Sequence, residues 1–448
     1  MLSDDEILTV PPPEAEARRH VQRLLEWKRQ DPGIELGGES PRPIRSVAIV
    51  GVGMMGTAIA AVHVKHGLPV VVTDADEHLL ASAVERIAAE MDDPAGPPSG
   101  PTRDTVTRLV RQTTDEAVVA RCDLVLESVV EMPRVKQQVF ARLEPRLSPS
   151  TILASNTSTI PIGRLAARLR DPGRFLGLHF FHPVRRRPLL EVVRGLQTSD
   201  QTVAAAVGYA KVIGKIPIVV ADGPGFLVNR LLVPHLTEAL ELLLDGATIE
   251  QIEQAATEFG MAKGPIRLMD EIGLDTALRG GIVLHEAFPQ RIPASPLLVA
   301  MIKAGRLGRK SAAGFFCYPT DEQPDKPIRP DPAVEEIIAR WARAPRPFTP
   351  AMIVARLFLP MVLEATRILE EQKVRDPRDI DLGVLFGLGF PEARGGLLHW
   401  ADTLGAERIL RMLRSLECLG ERARPTSLLV QIANENRRFS RGDTAGIL

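Results

Sequence analysis

Apolar and polar positions divide the chain into two parts of different periodicity. Between residues 45 and 223 short apolar runs alternate with segments of helical spacing, and the runs lie at 47–50, 70–73, 124–126, 152–154 and 218–220. This alternation is typical of an α/β fold in which helices cover both faces of a doubly wound parallel sheet. From residue 224 onward the spacing is helical, and strand-like runs largely disappear. We therefore predict a sheet domain over 45–223, followed by helical domains.

Segments rich in proline, glycine and charge mark the predicted boundaries. Residues 14–30 have helical spacing and precede a glycine- and proline-rich stretch, so residues 1–44 are predicted to be an N-terminal extension and linker. Proline, aspartate and arginine are frequent in 319–347, which we predict to be a second linker. The two helical domains are then expected at 224–318 and 348–448.

The second helical region repeats phrases of the first. Arg-Leu-Leu-Val-Pro at 230–234, followed by Glu-Ala, returns as Arg-Leu-Phe-Leu-Pro at 356–360, again followed by Glu-Ala. Further matches occur in the same order, so we infer a tandem duplication of one helical unit. Asn229 is matched by Ala355. Any chemistry at Asn229 is therefore not expected in the second copy.

Composition favours small-molecule chemistry in a reducing compartment. The 55 lysines and arginines nearly balance 56 aspartates and glutamates, so no broad field attracts nucleic acid or an anionic membrane. Three distant cysteines suit the cytoplasm and offer no metal-ligand spacing. No apolar run approaches the roughly 20 residues that a membrane span needs, and residues 1–13 lack the features of a secretory signal. We predict a cytoplasmic protein without a metal site.

A glycine-rich motif lies between the first predicted strand and a helix. It reads Gly51-Val52-Gly53-Met54-Met55-Gly56. In this context the three glycines allow a tight turn, close approach of a pyrophosphate, and close packing of helix on strand. Asp74 ends the next strand, where a carboxylate accepts hydrogen bonds from the adenosine ribose, and no arginine follows to bind a 2′-phosphate. The motif predicts a Rossmann-type domain that binds NAD rather than NADP.

Polar groups among apolar residues indicate alcohol oxidation. They lie in 154–158, 177–183 and 189–193, and they include His179 and Glu191. Oxidation of an alcohol by NAD needs a base for the hydroxyl proton, and an imidazole paired with a carboxylate suits that task. On spacing alone, a core histidine with satisfied hydrogen bonds is the more frequent explanation of His179.

Four phrases make the chain resemble the 3-hydroxyacyl-CoA dehydrogenases. They are Ser-Asn-Thr-Ser-Thr-Ile-Pro-Ile at 155–162, Leu-His-Phe-Phe at 178–181, Asp-Gly-Pro-Gly-Phe-Leu-Val-Asn-Arg at 222–230, and Gly-Leu-Gly-Phe-Pro at 387–391. The chain is most similar to the dehydrogenase portion of the α-subunit of the bacterial fatty-acid β-oxidation multifunctional enzyme, which also carries the tandem helical repeat. Only about 44 residues precede the sheet domain here. We therefore expect no enoyl-CoA hydratase region.

The resemblance implies roles for matching residues. It makes His179 the catalytic base, Glu191 its orienting partner, and Ser158 and Asn229 hydrogen-bonding groups around the substrate oxygen. It also places Glu131 and Lys136 near the cofactor and Lys310 near its nicotinamide half. The full expected cofactor-binding set is Gly51, Gly53, Met54, Met55, Gly56, Asp74, Glu131, Lys136, Ser158, His182 and Lys310.

Taken one at a time, these residues have structural explanations as well. Glu191 is also explained as an edge-strand charge that opposes aggregation, and Ser158 as the N-cap of a helix. The charged cofactor candidates are also explained as solvated surface groups. Asn229, within an otherwise apolar helix, is harder to explain because a buried amide needs partners.

Two departures from the family bear on the substrate. His182 stands where relatives usually carry asparagine, which puts a second imidazole beside the expected base. Residues 90–101 are short, acidic and rich in proline, whereas relatives carry lysines there toward the nucleotide of the thioester. Arg185, Arg186 and Arg187 offer phosphate contacts instead, although a basic loop is more often only solvated.

The expected reaction transfers hydride between the C3 hydroxyl of a 3-hydroxyacyl-CoA and NAD, as in fatty-acid β-oxidation, with the substrate between the sheet domain and the first helical domain. One alternative is a dehydrogenase of a free 3-hydroxy acid, and another is a non-catalytic subunit that binds nucleotide or docks a thiolase. Helical domains pair between subunits in single-function relatives, so a second copy within one chain is compatible with a monomer as well as a homodimer.

Overall fold

The structure, a computed structural model, describes residues 14–37, 40–91, 103–320, 323, 325 and 327–439. Contacts among residues divide the chain into two compact units, and the division falls inside the first helix. We call Leu25–Phe226 the sheet unit. The helical unit combines the described residues up to Leu24 with those from Leu227 onward.

One eight-stranded sheet forms the centre of the sheet unit, with strand order β3-β2-β1-β4-β5-β6-β7-β8. Every apolar run predicted to be a strand lies within one, so the α/β prediction is confirmed. The strands are β1 (Val47–Val50), β2 (Val70–Thr73), β3 (Val110–Gln112), β4 (Leu124–Glu127), β5 (Ile152–Ser155), β6 (Phe175–Phe180), β7 (Leu189–Arg194) and β8 (Ile216–Ala221).

The expectation of a wholly parallel sheet is wrong at one strand pair. β6 and β7 are antiparallel, whereas the other neighbouring pairs in this sheet are parallel. The reason is the connection between them, which spans only residues 181–188 and contains no crossover helix. A parallel pair needs a crossover of a dozen or more residues, so this short loop can only return the chain in the opposite direction.

Helices cover the sheet in the order that the alternating pattern predicts. Most of the helix after the glycine-rich motif is buried, because it packs between the sheet and its neighbours. The helices up to the end of the sheet unit are α1 (Glu14–Gln30), α2 (Met54–Lys65), α3 (Glu77–Ala81), α4 (Ala83–Met91), α5 (Arg103–Leu109), α6 (Glu116–Val119), α7 (Pro133–Leu143), α8 (Ile162–Ala166) and α9 (Asp200–Val212).

From Leu227 onward, helices predominate among the described residues, as predicted. A short hairpin, β9 (Phe316–Cys317) with β10 (Arg329–Pro330), interrupts them. The helices are α10 (Val228–Leu244), α11 (Ile249–Phe259), α12 (Pro265–Ile272), α13 (Leu274–Ala287), α14 (Pro296–Lys303), α15 (Ala333–Ala339), α16 (Pro350–Glu370), α17 (Pro377–Gly383), α18 (Leu397–Leu404), α19 (Ala406–Arg414) and α20 (Ser427–Asn434).

The two helical copies pack against each other through their long first helices, α10 and α16. Arg230 of α10 bonds Glu364 of α16 at 2.6 Å, and Arg356 of α16 bonds Glu238 of α10 at 2.7 Å. All four side chains are buried. The arginine and glutamate of each repeated phrase thus pair with their counterparts in the other copy. Reciprocal pairing of this kind is the pattern expected of two copies related by a two-fold axis.

Two segments outside the predicted domains contain helices. Residues 14–30, which have helical spacing in the sequence, form helix α1. The predicted linker at 319–347 contains α15. The two helical copies lie in one compact unit, in which α10 packs against α16. The features expected of residues 1–13, and those of 92–101, lie outside the described residues. Within the described ranges, no helix combines the length and apolarity that a membrane crossing requires.

Candidate active site

The carboxyl ends of parallel strands gather several predicted residues at one edge of the sheet. β1 is followed by the glycine-rich loop, β2 by Asp74, β4 by the loop 128–132, and β5 by 156–158. The strand order reverses between β1 and β4, because β2 and β3 lie on one side of β1 and β4 lies on the other. Ligands of open α/β sheets bind at such a reversal.

The glycine-rich loop has the geometry that the motif predicts. Gly51 has a φ of +100°, and a Cβ there would lie 2.7 Å from the carbonyl oxygen of Ser128. A Cβ on Gly56 would lie 1.9 Å from the carbonyl oxygen of Gly51, so α2 and the loop approach this closely only because residue 56 is glycine. A Cβ on Gly53 would meet no atom within 4 Å, which leaves open space at the N-terminus of α2. A pyrophosphate fits this opening.

Met54 and Met55 face different surroundings at the start of α2. Met54 is 61% exposed, so its side chain is accessible to a cofactor. Met55 is partly buried and packs against the core of the sheet unit. Its predicted contact with the cofactor is therefore limited to its backbone and the exposed part of its side chain.

Asp74 supports the glycine-rich loop directly. Its Oδ2 accepts a hydrogen bond from the backbone N–H of Val52 at 2.7 Å, and its Oδ1 accepts one from the backbone N–H of Asp76 at 2.9 Å. The carboxylate is half-buried and retains acceptor capacity on both oxygens. It can therefore accept ribose hydroxyls while it holds the loop.

A buried ion pair supports the loop that follows β4. Lys136 is fully buried, and its Nζ lies 2.8 Å from Glu127 Oε1 and 3.2 Å from Glu131 Oε2. Burial raises the pKa of Glu127 even though Lys136 lies beside it. Burial also acts to raise the pKa of Glu131, but Lys136 and hydrogen bonds from Thr157 and Ser158 outweigh it and lower that pKa. The observed contacts of Lys136 position Glu131, and its direct contact with a cofactor stays a prediction.

Glu131 in turn holds the polar loop after β5. Its Oε1 accepts hydrogen bonds from the hydroxyl of Thr157 at 2.6 Å and from the backbone N–H of Ser158 at 3.0 Å. The alternative explanation of Ser158 as a helix cap is wrong, because α8 begins only after Pro161. Ser158 is half-buried in a loop anchored by a carboxylate, which leaves its predicted role geometrically possible.

His179 and Glu191 lie directly opposite each other on β6 and β7. His179 Nδ1 and Glu191 Oε2 are 2.5 Å apart, and the two residues are 6% and 0% exposed. A carboxylate only accepts hydrogen bonds, so Nδ1 donates the proton and Nε2 keeps its lone pair. Glu191 is not the edge-strand charge of the alternative explanation, since β7 pairs with β8 on its other side.

Aromatic rings and an amide surround this pair. The His179 ring centroid is 4.4 Å from that of Phe181 and 5.9 Å from that of Phe226, which limits access of water to the imidazole. Asn156 Oδ1 accepts a hydrogen bond from the backbone N–H of Phe180 at 3.1 Å. The loop after β5 is thereby fixed beside the residue that follows His179.

The loop after β6 carries the departures noted in the sequence. His182 is exposed, so its ring is accessible beside the His179 strand. Arg185 Nη1 donates a hydrogen bond to the backbone oxygen of Glu90 at 2.9 Å. Lys215 Nζ donates hydrogen bonds to the carbonyl oxygens of Val184 and Arg187 and so fixes this loop. Burial lowers the pKa of Lys215 to about 8.

Two predicted residues belong to the helical unit. Asn229 is half-buried in the first turn of α10, and Lys310 is partly exposed and forms an ion pair with Asp275 at the start of α13. The other predicted site residues, including the exposed His182, belong to the sheet unit.

Sequence reasoning missed two supporting residues. Glu127 pairs with Lys136 and accepts a hydrogen bond from Ser155, and Asn156 connects β5 to β6. A glutamate at the end of the apolar run Leu-Val-Leu-Glu was an available signal, because a buried carboxylate needs partners. Asn156 lies within the phrase at 155–162, but its role could not be predicted because its partner, Phe180, lies on the neighbouring strand β6.

Comparisons with known proteins agree with this geometry. The model of the 3-hydroxyacyl-CoA dehydrogenase NAD-binding domain matches residues 46–223, and that of the C-terminal domain of the same family matches 225–318 and 352–448. The chain belongs to the 3-hydroxyacyl-CoA dehydrogenase family. The sheet unit of this dehydrogenase thus contains the NAD-binding domain, and the two C-terminal matches coincide with the predicted duplication.

Some solved structures similar to the dehydrogenase match most of this chain, and others match about three fifths of it. A 3-hydroxybutyryl-CoA dehydrogenase from Escherichia coli is 28% identical over 88% of this chain and 99% of its own, with a TM-score of 0.76. The dehydrogenase part of multifunctional enzyme 1 from C. elegans is 25% identical over 95% of this chain and 98% of its own (TM-score 0.66). (S)-3-Hydroxybutyryl-CoA dehydrogenase from Ralstonia eutropha is 35% identical over 62% of this chain and 100% of its own (TM-score 0.59).

Proposed function

We propose that the protein transfers hydride between the C3 hydroxyl of a 3-hydroxyacyl-CoA and NAD, with His179 as the catalytic base. The observation that carries this proposal is the buried pair of His179 and Glu191 near the carboxyl end of β6. β6 is parallel to β5, so this end lies at the edge where the glycine-rich loop opens. The family assignment supplies the substrate class.

The pair is arranged to accept a proton from the substrate. Nε2 of His179 takes the proton of the C3 hydroxyl, and the negative charge of Glu191 stabilises the imidazolium that forms. NAD, when bound, accepts the hydride that leaves C3. Phe181 and Phe226 limit water around the ring, which strengthens the interaction between imidazolium and carboxylate.

The remaining site residues are proposed to bind and orient. Ser158 and Asn229 donate hydrogen bonds to the substrate oxygen, and His182 and Lys310 contact the cofactor. Glu131 and Lys136 support the loop that carries Ser158, which is the role their observed contacts favour. The glycine-rich loop and Asp74 hold the adenosine half.

An absorbance assay for NADH with 3-hydroxyacyl-CoA esters tests the proposal, with the corresponding free 3-hydroxy acids as the second arm. The acidic segment 90–101, which lacks the lysines of relatives, favours the free acid as the alternative substrate. Faster turnover of the thioester supports the proposal. Turnover of only the free acid, or reduction of NAD with neither substrate, contradicts it.

We also infer that a single chain is the assembled form. The reciprocal pairs, Arg230 with Glu364 and Arg356 with Glu238, have the pattern of a symmetric interface, in which each contact occurs twice. The second copy therefore occupies the place that a partner subunit takes in relatives with one copy. We expect light scattering to give the mass of one chain, 48.9 kDa, and a doubled mass contradicts the inference.

Asp74→Asn is expected to lower kcat/KM with NAD by roughly 10- to 100-fold, because hydrogen bonds to a charged acceptor are worth about 1.5–3 kcal/mol each. NADP loses no such contact, and its 2′-phosphate meets one negative charge fewer. Steady-state kinetics with both cofactors should show a reduced preference for NAD. Asp76→Asn removes the same charge two positions away, where the side chain caps α3, and should keep the preference. Equal effects of the two variants contradict the role of Asp74.

A further inference from the structure

A cavity of about 140 Å³ lies within the helical unit among α10, α12, α13 and α14. Val233, Leu240, Gly281 and Leu298 are among the residues of its predominantly apolar wall. The wall has three polar side chains, Thr237, His285 and Ser295, and the last two have partners within the wall region. His285 Nδ1 contacts the carbonyl oxygen of Ile292 at 2.7 Å, and Ser295 Oγ accepts the N–H of Leu298 at 3.3 Å. The cavity therefore suits an uncharged, apolar occupant.

Helix periodicity places this cavity on the same face of α10 as Asn229. Residues at i+4, i+7 and i+11 lie on the face of residue i, and for Asn229 these are Val233, Leu236 and Leu240. All three line the cavity. With a rise of about 1.5 Å per residue, the cavity begins about 6 Å along the helix from Asn229 and continues for about 10 Å.

Apolar side chains in contact with water also surround the cavity. Ile282 is 45% exposed and Val299 is 39% exposed, and both belong to its wall. When an apolar ligand covers exposed apolar side chains at such a cavity, their surface is removed from water, and this makes binding more favourable. The wall of the cavity contains no aspartate, glutamate, lysine or arginine, so it offers no ion pair to a charged ligand.

We propose that this cavity binds the acyl chain of the substrate beyond C3, so that the enzyme prefers 3-hydroxyacyl-CoA esters longer than 3-hydroxybutyryl-CoA. The inference rests on the proposed function, because it takes Asn229 as a ligand of the C3 oxygen. From that oxygen the chain runs along the face of α10 into the cavity. Each methylene buried there is expected to raise kcat/KM roughly fourfold until the cavity is full.

Two adjacent glycines of α13 provide a matched pair of variants. Gly281 lines the cavity, whereas Gly280 does not. A Cβ on either would meet no atom within 4 Å, and neither has a positive φ, so the backbone accepts a side chain at both. Gly281→Leu places four carbons in the cavity, and Gly280→Leu places the same side chain outside it. Both changes also raise helix propensity equally.

The test compares kcat/KM for 3-hydroxybutyryl-CoA and 3-hydroxydecanoyl-CoA. Gly281→Leu is expected to lower the ratio of the long to the short substrate by about tenfold or more, which corresponds to the loss of about two buried methylenes. Gly280→Leu should keep the wild-type ratio. The inference is overturned if wild type, Gly281→Leu and Gly280→Leu have equal ratios, or if the wild type prefers the short substrate. In both cases turnover of either thioester still supports the proposed function.

Binding gives an independent measurement that needs no turnover. Inhibition or thermal-shift titrations with butyryl-CoA and decanoyl-CoA should show tighter binding of the longer chain to the wild type and to Gly280→Leu, with the difference reduced in Gly281→Leu. Tighter binding of decanoyl-CoA that is unchanged in Gly281→Leu places the chain elsewhere and overturns the inference. Absence of turnover with any 3-hydroxyacyl-CoA refutes the proposed function, and with it this inference.

Discussion

His179→Ala is expected to lower kcat by roughly 10²- to 10⁴-fold with 3-hydroxyacyl-CoA and NAD, since general-base catalysis by a positioned side chain contributes about that factor. The substitution removes the imidazole that Glu191 orients from the opposite strand. The dissociation constant of NAD should change little, because the glycine-rich loop and Asp74 lie on other strands. Steady-state kinetics and a titration with NAD measure the two quantities.

The second imidazole of this loop provides the control. His182 is exposed, whereas His179 is buried against Glu191, so His182→Asn should lower kcat far less than His179→Ala does. Glu191→Gln keeps the volume but removes the charge that stabilises the imidazolium, and it should also lower kcat. A large loss in His182→Asn with normal activity in His179→Ala would transfer the role of base to His182.

Glu364→Gln is expected to destabilise the helical unit by about 3–5 kcal/mol, which is typical when one partner of a buried ion pair is removed. Glu364 is buried and contacts Arg230 at 2.6 Å, Arg291 at 3.0 Å and Arg367 at 3.2 Å. Glutamine removes the negative charge between these guanidinium groups, and of the three arginines Arg230 keeps an ion pair with Glu371. Calorimetry should show a lower unfolding temperature for the transition that includes the helical unit.

Glu407→Gln is the matched control for that substitution. Glu407 pairs with Arg411 at 3.2 Å on the same helix, α19, and its side chain is 84% exposed. Exposed pairs of this type contribute about 0.3–0.5 kcal/mol, so its unfolding temperature should remain close to that of the wild type. Similar shifts in both variants would mean that the reciprocal pairs contribute no more than a surface pair.

Local patterns predicted the strands that carry the nucleotide loop. Runs 47–50 and 70–73 coincide with β1 and β2, because a strand buried on both faces is a continuous apolar run. β3 was missed, since Val110–Gln112 is a three-residue edge strand with one apolar residue. The glycine roles were also predictable, because they depend on backbone geometry within a few residues.

The sequence identified His179 and Glu191 as the catalytic pair, but it did not predict that they lie opposite each other on neighbouring strands. In a wholly parallel sheet, the twelve-residue interval would not place His179 opposite Glu191. The short antiparallel return from β6 to β7 does so, and strand direction follows from connection length rather than from apolar pattern. Contacts of Lys136 and Asn156 likewise depend on neighbours brought together by the whole sheet.

The reciprocal arginine–glutamate pairs have a thermodynamic consequence. Subunits that assemble from solution dissociate on dilution, so their stability depends on protein concentration. Here both halves of the interface belong to one polypeptide. Their association therefore depends on the length of chain that connects them and not on protein concentration. Melting of this interface should therefore be a first-order event, with a midpoint that is independent of dilution.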